Sequence, residues 1–120
     1  MQDKIVINDY IENDPLSKEN LDKTLETVDE IRLLFPNKSI WIYSGYTWNQ
    51  VINPIITDDF NPKRDELIHK RQNIVKQCTV MVDGRYIDSQ RDITLKWRGS
   101  LNQNIWKNCN GIWENITNEI

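Results

Sequence analysis

The chain has 120 residues, a mass of 14.3 kDa and a formal net charge of −3. We expect residues 1–120 to form a single domain, because this length supports one hydrophobic core but not two. Hydrophobic residues make up 38% and charged residues 28%, which is typical of a folded chain and excludes a disordered one. The mild acidity makes nucleic-acid binding an unfavoured function. The apolar runs are too short to span a membrane and no export signal follows Met1, so we expect a cytoplasmic protein.

The cysteine content limits the metal chemistry of this chain. Its two cysteines are Cys78 and Cys109, its one histidine is His69, and neither a CxxC nor a CxxxCxxC motif occurs. This spacing does not predict a zinc site, and two thiolates are fewer than an iron–sulfur cluster needs. We therefore expect no metal ligands, interpret both cysteines as ordinary thiols, and interpret His69 as a solvated helix residue.

The first half of the chain predicts a strand–helix–strand unit. Residues 4–7 are β-branched and predict a strand. Apolar residues at helical spacing then predict an amphipathic helix over 18–35, with Asp14 and Ser17 as competing caps. Residues 39–44 are predicted to form a strand without polar alternation, which is typical of a strand that is buried on both faces in a parallel or mixed sheet.

The second half predicts another such unit and a polar tail. The predicted elements are a short helix over 46–52, a loop over 53–62 with two adjacent aspartates, a helix over 62–76, a strand over 79–82, an edge strand over 92–97 and an Asn-rich tail over 98–120. Gly45 follows one predicted parallel strand and Asp83 ends the next. Because parallel strands share their carboxyl ends, both residues should meet at one sheet edge, where ligands of α/β proteins bind. Simple turns explain the same residues without a ligand.

Several segments together resemble the anaerobic ribonucleotide reductase activating proteins of the radical S-adenosylmethionine (SAM) family. The segments that carry the resemblance are 35–48 (FPNKSIWIYSGYTW), 80–86 (VMVDGRY), 95–103 (LKWRGSLNQ) and 110–113 (NGIW). They occur in consistent order over residues 14–120. The resemblance implies an α/β fold, a partial (β/α) barrel of radical SAM type truncated at its N-terminus, with a mostly parallel sheet flanked by helices.

The resemblance also implies a cofactor chemistry, but this chain departs from the family at the residues that carry it. In the family, three cysteines of a CxxxCxxC loop hold a [4Fe–4S] cluster that cleaves SAM, and a Gly-Gly-Asp-Pro strand end binds the amino group of SAM. Here the cysteine loop is missing and Glu12-Asn13 stand in place of the two glycines before Asp14-Pro15. Only glycine adopts positive φ without cost, so a ligand would approach this backbone less closely. We therefore expect neither cluster nor SAM as a cofactor and assign no catalytic residue.

Two sets of candidate site residues follow. By resemblance, Asp14, Gly45 and Asp83 lie on the SAM side, although Asp14 is also explained as a helix cap. Five further residues are candidates for binding a protein partner. These are Arg98, Asn102, Gln103, Trp106 and Trp113. Tryptophan is enriched at interface hot spots, but both tryptophans are equally explained as a cover for an open sheet face.

Two functions of different classes remain open. The first is an activator homologue that is non-catalytic alone and has the anaerobic ribonucleotide reductase as its partner. The second is a repurposed phage or mobile-element protein that binds and inhibits a host target protein such as a defence complex. A third, weaker hypothesis is a SAM- or nucleotide-binding module. A truncated barrel would also expose a sheet edge, which favours a homodimer.

Overall fold

A computed structural model of the protein describes residues 4–56 and 60–119. Met1, and Asp58 and Asp59 of the predicted loop, lie outside the described residues. The strands are β1 (Lys4–Val6), β2 (Ser39–Tyr43), β3 (Val80–Asp83), β4 (Asn104–Cys109) and β5 (Ile112–Asn115). The helices are α1 (Leu21–Leu34), α2 (Trp48–Ile52) and α3 (Pro62–Lys76), with short 3-10 turns at 7–9, 18–20, 88–90 and 117–119.

The strands form one mixed sheet in the order β1-β2-β3-β4-β5. β1, β2 and β3 run parallel, through register pairs such as Val6 with Trp41 and Trp41 with Val80. β4 is antiparallel to β3, and β5 is antiparallel to β4. The α/β class with flanking helices is confirmed, whereas the prediction of a mostly parallel sheet is wrong because the tail adds two antiparallel strands.

The C-terminal third differs most from the sequence prediction. No edge strand forms over 92–97; this segment is a series of turns closed by an isolated bridge between Arg91 and Ser100. The predicted tail instead forms the hairpin β4–β5. Its turn residues Asn110 and Gly111 have φ of 55° and 90°. Positive φ at both central positions is what a type I′ hairpin turn requires, and Asn-Gly is the usual sequence for it.

Local capping fixes where the helices begin. Asn61 accepts a hydrogen bond from Arg64 N at 3.1 Å and Pro62 occupies the first turn of α3, so this helix spans the predicted range. Thr47 and Gln50 form a capping box at the start of α2. The predicted helix over 18–35 is a 3-10 turn followed by α1, and Asp14 does not cap it.

The two faces of the sheet have different covers. The core on one face is formed with residues of the three helices and includes Val28, Ile42 and Met81. On the other face a smaller apolar cluster contains Trp41, which is 1% exposed. Loop residues cover this second face.

Among the described helices, none combines the length and apolar character that crossing a membrane requires.

Candidate functional site

An open cleft of about 390 Å³ lies at the carboxyl ends of β2 and β3. Most of the residues that line it have polar side chains. The residues that line it are Asn8, Asn13, Asp14, Tyr43, Ser44, Gly45, Gly84, Arg85, Tyr86 and Gln103. This is the edge where the parallel strands end, and open α/β sheets commonly bind ligands at such an edge. The cleft is therefore the candidate site.

Asp14 fastens the loop after β1 to the end of β2. Its carboxylate accepts hydrogen bonds from Leu16 N at 2.9 Å, from Ser44 Oγ at 2.9 Å and from Gly45 N at 2.8 Å. Ser44 Oγ in turn accepts from Tyr46 N at 3.0 Å. A carboxylate has about four lone-pair positions, so three donors leave Asp14 little capacity for a ligand.

Gly45 lies against Asp14, a contact that the sequence analysis did not predict. A Cβ at position 45 would stand 3.3 Å from Asp14 Oδ2. That separation is tight, because the carboxylate is already held by three donors. Glycine at this position therefore permits the close contact between the loop and the strand end.

Asp83 belongs to a different environment from Asp14. It is 3% exposed and accepts hydrogen bonds from Trp48 N at 2.6 Å, from Asn104 N at 3.1 Å and from Trp106 Nε1 at 3.2 Å. Burial raises the pKa of Asp83 above its ordinary 3.8, and the three donors oppose that rise. Asp83 is absent from the cleft lining, so the structure brings together Asp14 and Gly45 but not Asp83.

The segment 98–103 is closed by its own hydrogen bonds. Gln103 Oε1 accepts from Gly99 N at 2.9 Å and from Ser100 N at 3.1 Å, while Gln103 Nε2 donates to Gly84 O at 2.9 Å. Arg98 donates to the carbonyls of Leu101 and Gln103 at 2.9 and 3.0 Å.

Asn102 joins the same segment to the strand end. Asn102 Nδ2 donates to Arg85 O at 2.8 Å, and Asn102 Oδ1 accepts from Ser100 Oγ at 2.6 Å. Much of the hydrogen-bonding capacity of Arg98, Asn102 and Gln103 is thus used within the fold, where it closes the segment against the end of β3.

Trp106 and Trp113 pack on the helix-covered face. Trp106 stacks on Trp48 with ring centroids 4.4 Å apart and an interplanar angle of 10°. Trp113 meets Trp48 edge-on at 6.4 Å. Both rings are half-buried and lie against the main core, which is the arrangement expected of a cover over the sheet.

The two cysteines lie at the other end of β3 from the cleft. Cys78 precedes β3, and Cys109 ends the antiparallel strand β4. Burial raises the pKa of the Cys78 thiol to about 12, which disfavours the thiolate, and its Sγ donates to Ile74 O at 3.4 Å.

These thiols do not fit a [4Fe–4S] cluster. Within residues 4–56 and 60–119, no group of three or more His, Cys, Asp or Glu side chains is arranged to hold a metal ion. His69 is exposed on α3, as predicted.

The sequence prediction missed several residues that shape the cleft. Asn8 pairs with both backbone groups of Tyr43, at 2.9 Å each, and so continues the edge of β2 beyond the end of β1. Ser44 carries the contact with Asp14. The polar type of Asn8 was visible in the sequence, but its pairing with a residue 35 positions away depends on the register of the sheet.

Comparison with known proteins gives the family. Residues 13–106 match the family model described as a 4Fe-4S single cluster domain. The anaerobic ribonucleoside-triphosphate reductase-activating protein of enterobacteria phage T4 is 28% identical over 103 residues, which are 84% of this chain and 53% of that protein. The proteins of the same name from Escherichia coli (strain K12) and from Vibrio cholerae are each 34% identical over 90 residues, 75% of this chain and 48% of theirs.

The chain thus spans about half the length of the curated relatives it matches. No solved structure matches it. The family model covers most of the chain, including the segment 98–103 and every residue that lines the cleft except Asn8, so the resemblance inferred from the motifs is confirmed. The chain belongs to the 4Fe-4S single cluster domain family and is homologous to the anaerobic ribonucleoside-triphosphate reductase-activating proteins.

Proposed function

We propose that this chain acts as a protein-binding part of an anaerobic ribonucleotide reductase activation system and does not generate the radical by itself. The homologues are named for activating that reductase, which supports a reductase as the partner. We further propose that the parallel strands β1–β3 and their helices correspond to one side of a radical SAM-type barrel.

The observation that carries the proposal is the separation of the thiols from the cleft. A site-differentiated cluster needs three thiolates close to the bound SAM, whereas this chain has two cysteines, both at the far end of β3. The carboxylate of Asp14 is in the cleft, but three donors of the protein already hold it. The geometry therefore supports a role in which the fold provides a binding surface and this chain alone supplies no cluster chemistry.

Anaerobic reconstitution with iron and sulfide tests whether this chain can bind a [4Fe–4S] cluster. We expect far less than one [4Fe–4S] cluster per chain, measured by iron content and by absorbance of thiolate–iron charge transfer. The activating protein of Escherichia coli, treated in parallel, controls for the procedure. Four irons per chain in this protein, lost in Cys78→Ser or Cys109→Ser variants, would contradict the proposal.

Binding to the reductase tests the partner. The purified chain and the anaerobic ribonucleoside-triphosphate reductase of the same organism should co-elute in size-exclusion chromatography under anaerobic conditions, with a dissociation constant measurable by calorimetry. Absence of any interaction, together with direct binding of the purified chain to a purified host defence complex, would replace this proposal with that of a repurposed inhibitor.

A further inference from the structure

The 20-residue connection between β3 and β4 folds into a compact arm. We call residues 84–103 the arm. Its two branches run antiparallel: Arg91 bridges to Ser100, Leu101 N donates to Gln90 O at 3.0 Å, and Asp92 N donates to Gly99 O at 3.3 Å. The side chain of Gln103 and the other bonds of segment 98–103 close its base. The arm is therefore a fixed structure with a defined surface, although it contains no regular strand.

A tilted contact between two tryptophan rings joins the arm to the face of the sheet that the helices leave free. Trp97 packs on the buried ring of Trp41 with centroids 5.3 Å apart. The ammonium of Lys4 lies 4.0 Å from the Trp97 ring and 4.5 Å from the Trp41 ring. Trp97 adopts φ of +69°, a conformation that is strained for a bulky residue and persists only where surrounding contacts hold it.

The outer surface of the arm is rich in exposed apolar side chains. Ile93 is 83% exposed and Leu101 is 57% exposed. The other exposed apolar side chains of the arm are Tyr86, Ile87 and Trp97. Single exposed apolar residues are normal, but five in a segment of 20 residues make the arm a candidate interaction surface.

The arm is also basic in a chain that is acidic. It contains four cationic and two acidic residues, a local charge of +2, whereas the whole chain has −3. Both acids are engaged locally, Asp88 with the Tyr86 hydroxyl and Asp92 with Thr94. Among the described residues, the exposed cations Arg85, Arg91 and Lys96 have no ion-pair partner.

We propose that the arm is the docking surface for the reductase partner and that it recognises an apolar patch rimmed by carboxylates. This inference rests on the proposed function. Complementary charge steers two proteins together and sets their register, and apolar and aromatic side chains supply the buried centre of an interface. A nucleic acid is a poorer occupant, because it would leave Ile93 and Leu101 exposed and the rest of the chain would repel it.

Two paired sets of variants test the docking surface. The charge variant carries Arg85→Glu, Arg91→Glu and Lys96→Glu, and its control carries Lys18→Glu, Lys23→Glu and Lys63→Glu, which reverse three exposed cations outside the arm. The apolar variant carries Ile93→Ser and Leu101→Ser. Its control carries Leu33→Ser and Ile55→Ser, at two other exposed apolar positions. All four are checked for an unchanged circular dichroism spectrum and melting temperature.

Calorimetry with the purified reductase measures the binding affinity of each variant and so tests the proposal. Each arm variant should bind at least about tenfold more weakly than its control, and the charge variant should also lose the salt dependence of binding. If the wild type binds and the arm variants bind equally well, the docking surface is elsewhere, while the proposed function stands. If the wild type does not bind, both are overturned.

Two further readouts identify other occupants of the arm. Light scattering would overturn the inference if the apolar variant converted a wild-type dimer into a monomer while reductase binding stayed unchanged. Fluorescence anisotropy with a labelled single-stranded oligonucleotide would overturn it if the charge variant lost oligonucleotide binding and kept reductase binding.

Discussion

Asp14 and Asp83 are both aspartates near strand ends, but they are buried to different extents and join different parts of the fold. Asp14 is half-buried at the cleft and holds a loop to the end of β2 through donors from Leu16, Ser44 and Gly45. Asp83 is buried beneath the cleft and ties β3 to the start of α2 and to β4. The sequence places Asp83 at a strand end and Asp14 before a helix, but it does not contain the depth at which each side chain lies.

Replacing Asp14 should cost stability. In Asp14→Asn an amide nitrogen would face donors that now meet a carboxylate, so we expect a loss of about 1–3 kcal/mol in the free energy of unfolding. Urea denaturation measures the loss, with the exposed Asp9→Asn as the matched control. If millimolar SAM raised the melting temperature of the wild type but not of Asp14→Asn, the carboxylate would be a ligand-binding group and its structural role would be secondary.

Asp83 should make stability depend on pH in the direction opposite to that of a salt-bridged acid. Its folded pKa is raised above the ordinary 3.8 by burial, so the folded state holds the proton to higher pH than the unfolded state. Its contribution to the free energy of unfolding is therefore full below pH 3.8 and is lost as pH rises through the folded pKa.

The Asp83 carboxyl resonance, followed by NMR, gives the folded pKa directly. Urea denaturation across the same pH range gives the stability, and the decline assigned to Asp83 should be absent in Asp83→Asn. A titration midpoint below 3.8 would contradict the assignment, since the three donors would then outweigh burial.

At the scale of elements, the closure of the arm depends on one amide side chain. In Gln103→Ala the amides of Gly99 and Ser100 and the carbonyl of Gly84 lose their partner at once. We expect faster hydrogen exchange at Gly99 and Ser100 and a loss of about 1–3 kcal/mol in the free energy of unfolding. The control is Gln90→Ala, whose side chain makes no hydrogen bond among the described residues. Unchanged exchange at both amides would mean that the arm is closed by other contacts.

Elements with a local signal were predicted well from the sequence. α3 begins at a proline and is capped by Asn61, so its predicted range 62–76 agrees with the structure. β2 was predicted from its continuous apolar character, which a central strand needs because both its faces are covered, and β3 was also predicted as a strand. The prediction of an edge strand over 92–97 was wrong. This segment alternates polar and apolar residues, but it belongs to an irregular arm in which some of these side chains are packed and others are exposed.

The remaining elements depend on contacts that are distant in sequence. β4 carries one fully buried apolar residue, Ile105, and its pattern has no regular alternation of buried and exposed positions, so its strand character comes from pairing with β3. The Asn110-Gly111 pair was a local signal of this hairpin, and the prediction of an irregular tail over 98–120 missed it. For the site, shared strand ends predicted that Gly45 lies at the cleft, whereas the bond from Gln103 to Gly84 could not be predicted without the path of the arm.

At the scale of the whole molecule, each face of the sheet has its own hydrophobic core, and the strands contribute side chains to both cores. Met81 on β3 points into the core beneath the helices, and its neighbours Val80 and Val82 point into the cluster around Trp41. Losing β3 would therefore disrupt both faces together. We propose on this ground that residues 1–120 unfold as one unit, as expected of a single domain.

The five tryptophans report on both faces and test this cooperativity. Trp48, Trp106 and Trp113 lie on the helix-covered face, while Trp41 and Trp97 lie on the other. Fluorine NMR of the chain labelled with 5-fluorotryptophan, with resonances assigned by single Trp→Phe variants, follows each ring through urea unfolding. All five should share one midpoint, because the strands transmit the loss of either core to the other. A lower midpoint for Trp97 alone would mean that the arm detaches before the sheet unfolds. Separate midpoints for the two faces would mean that the chain contains two folding units.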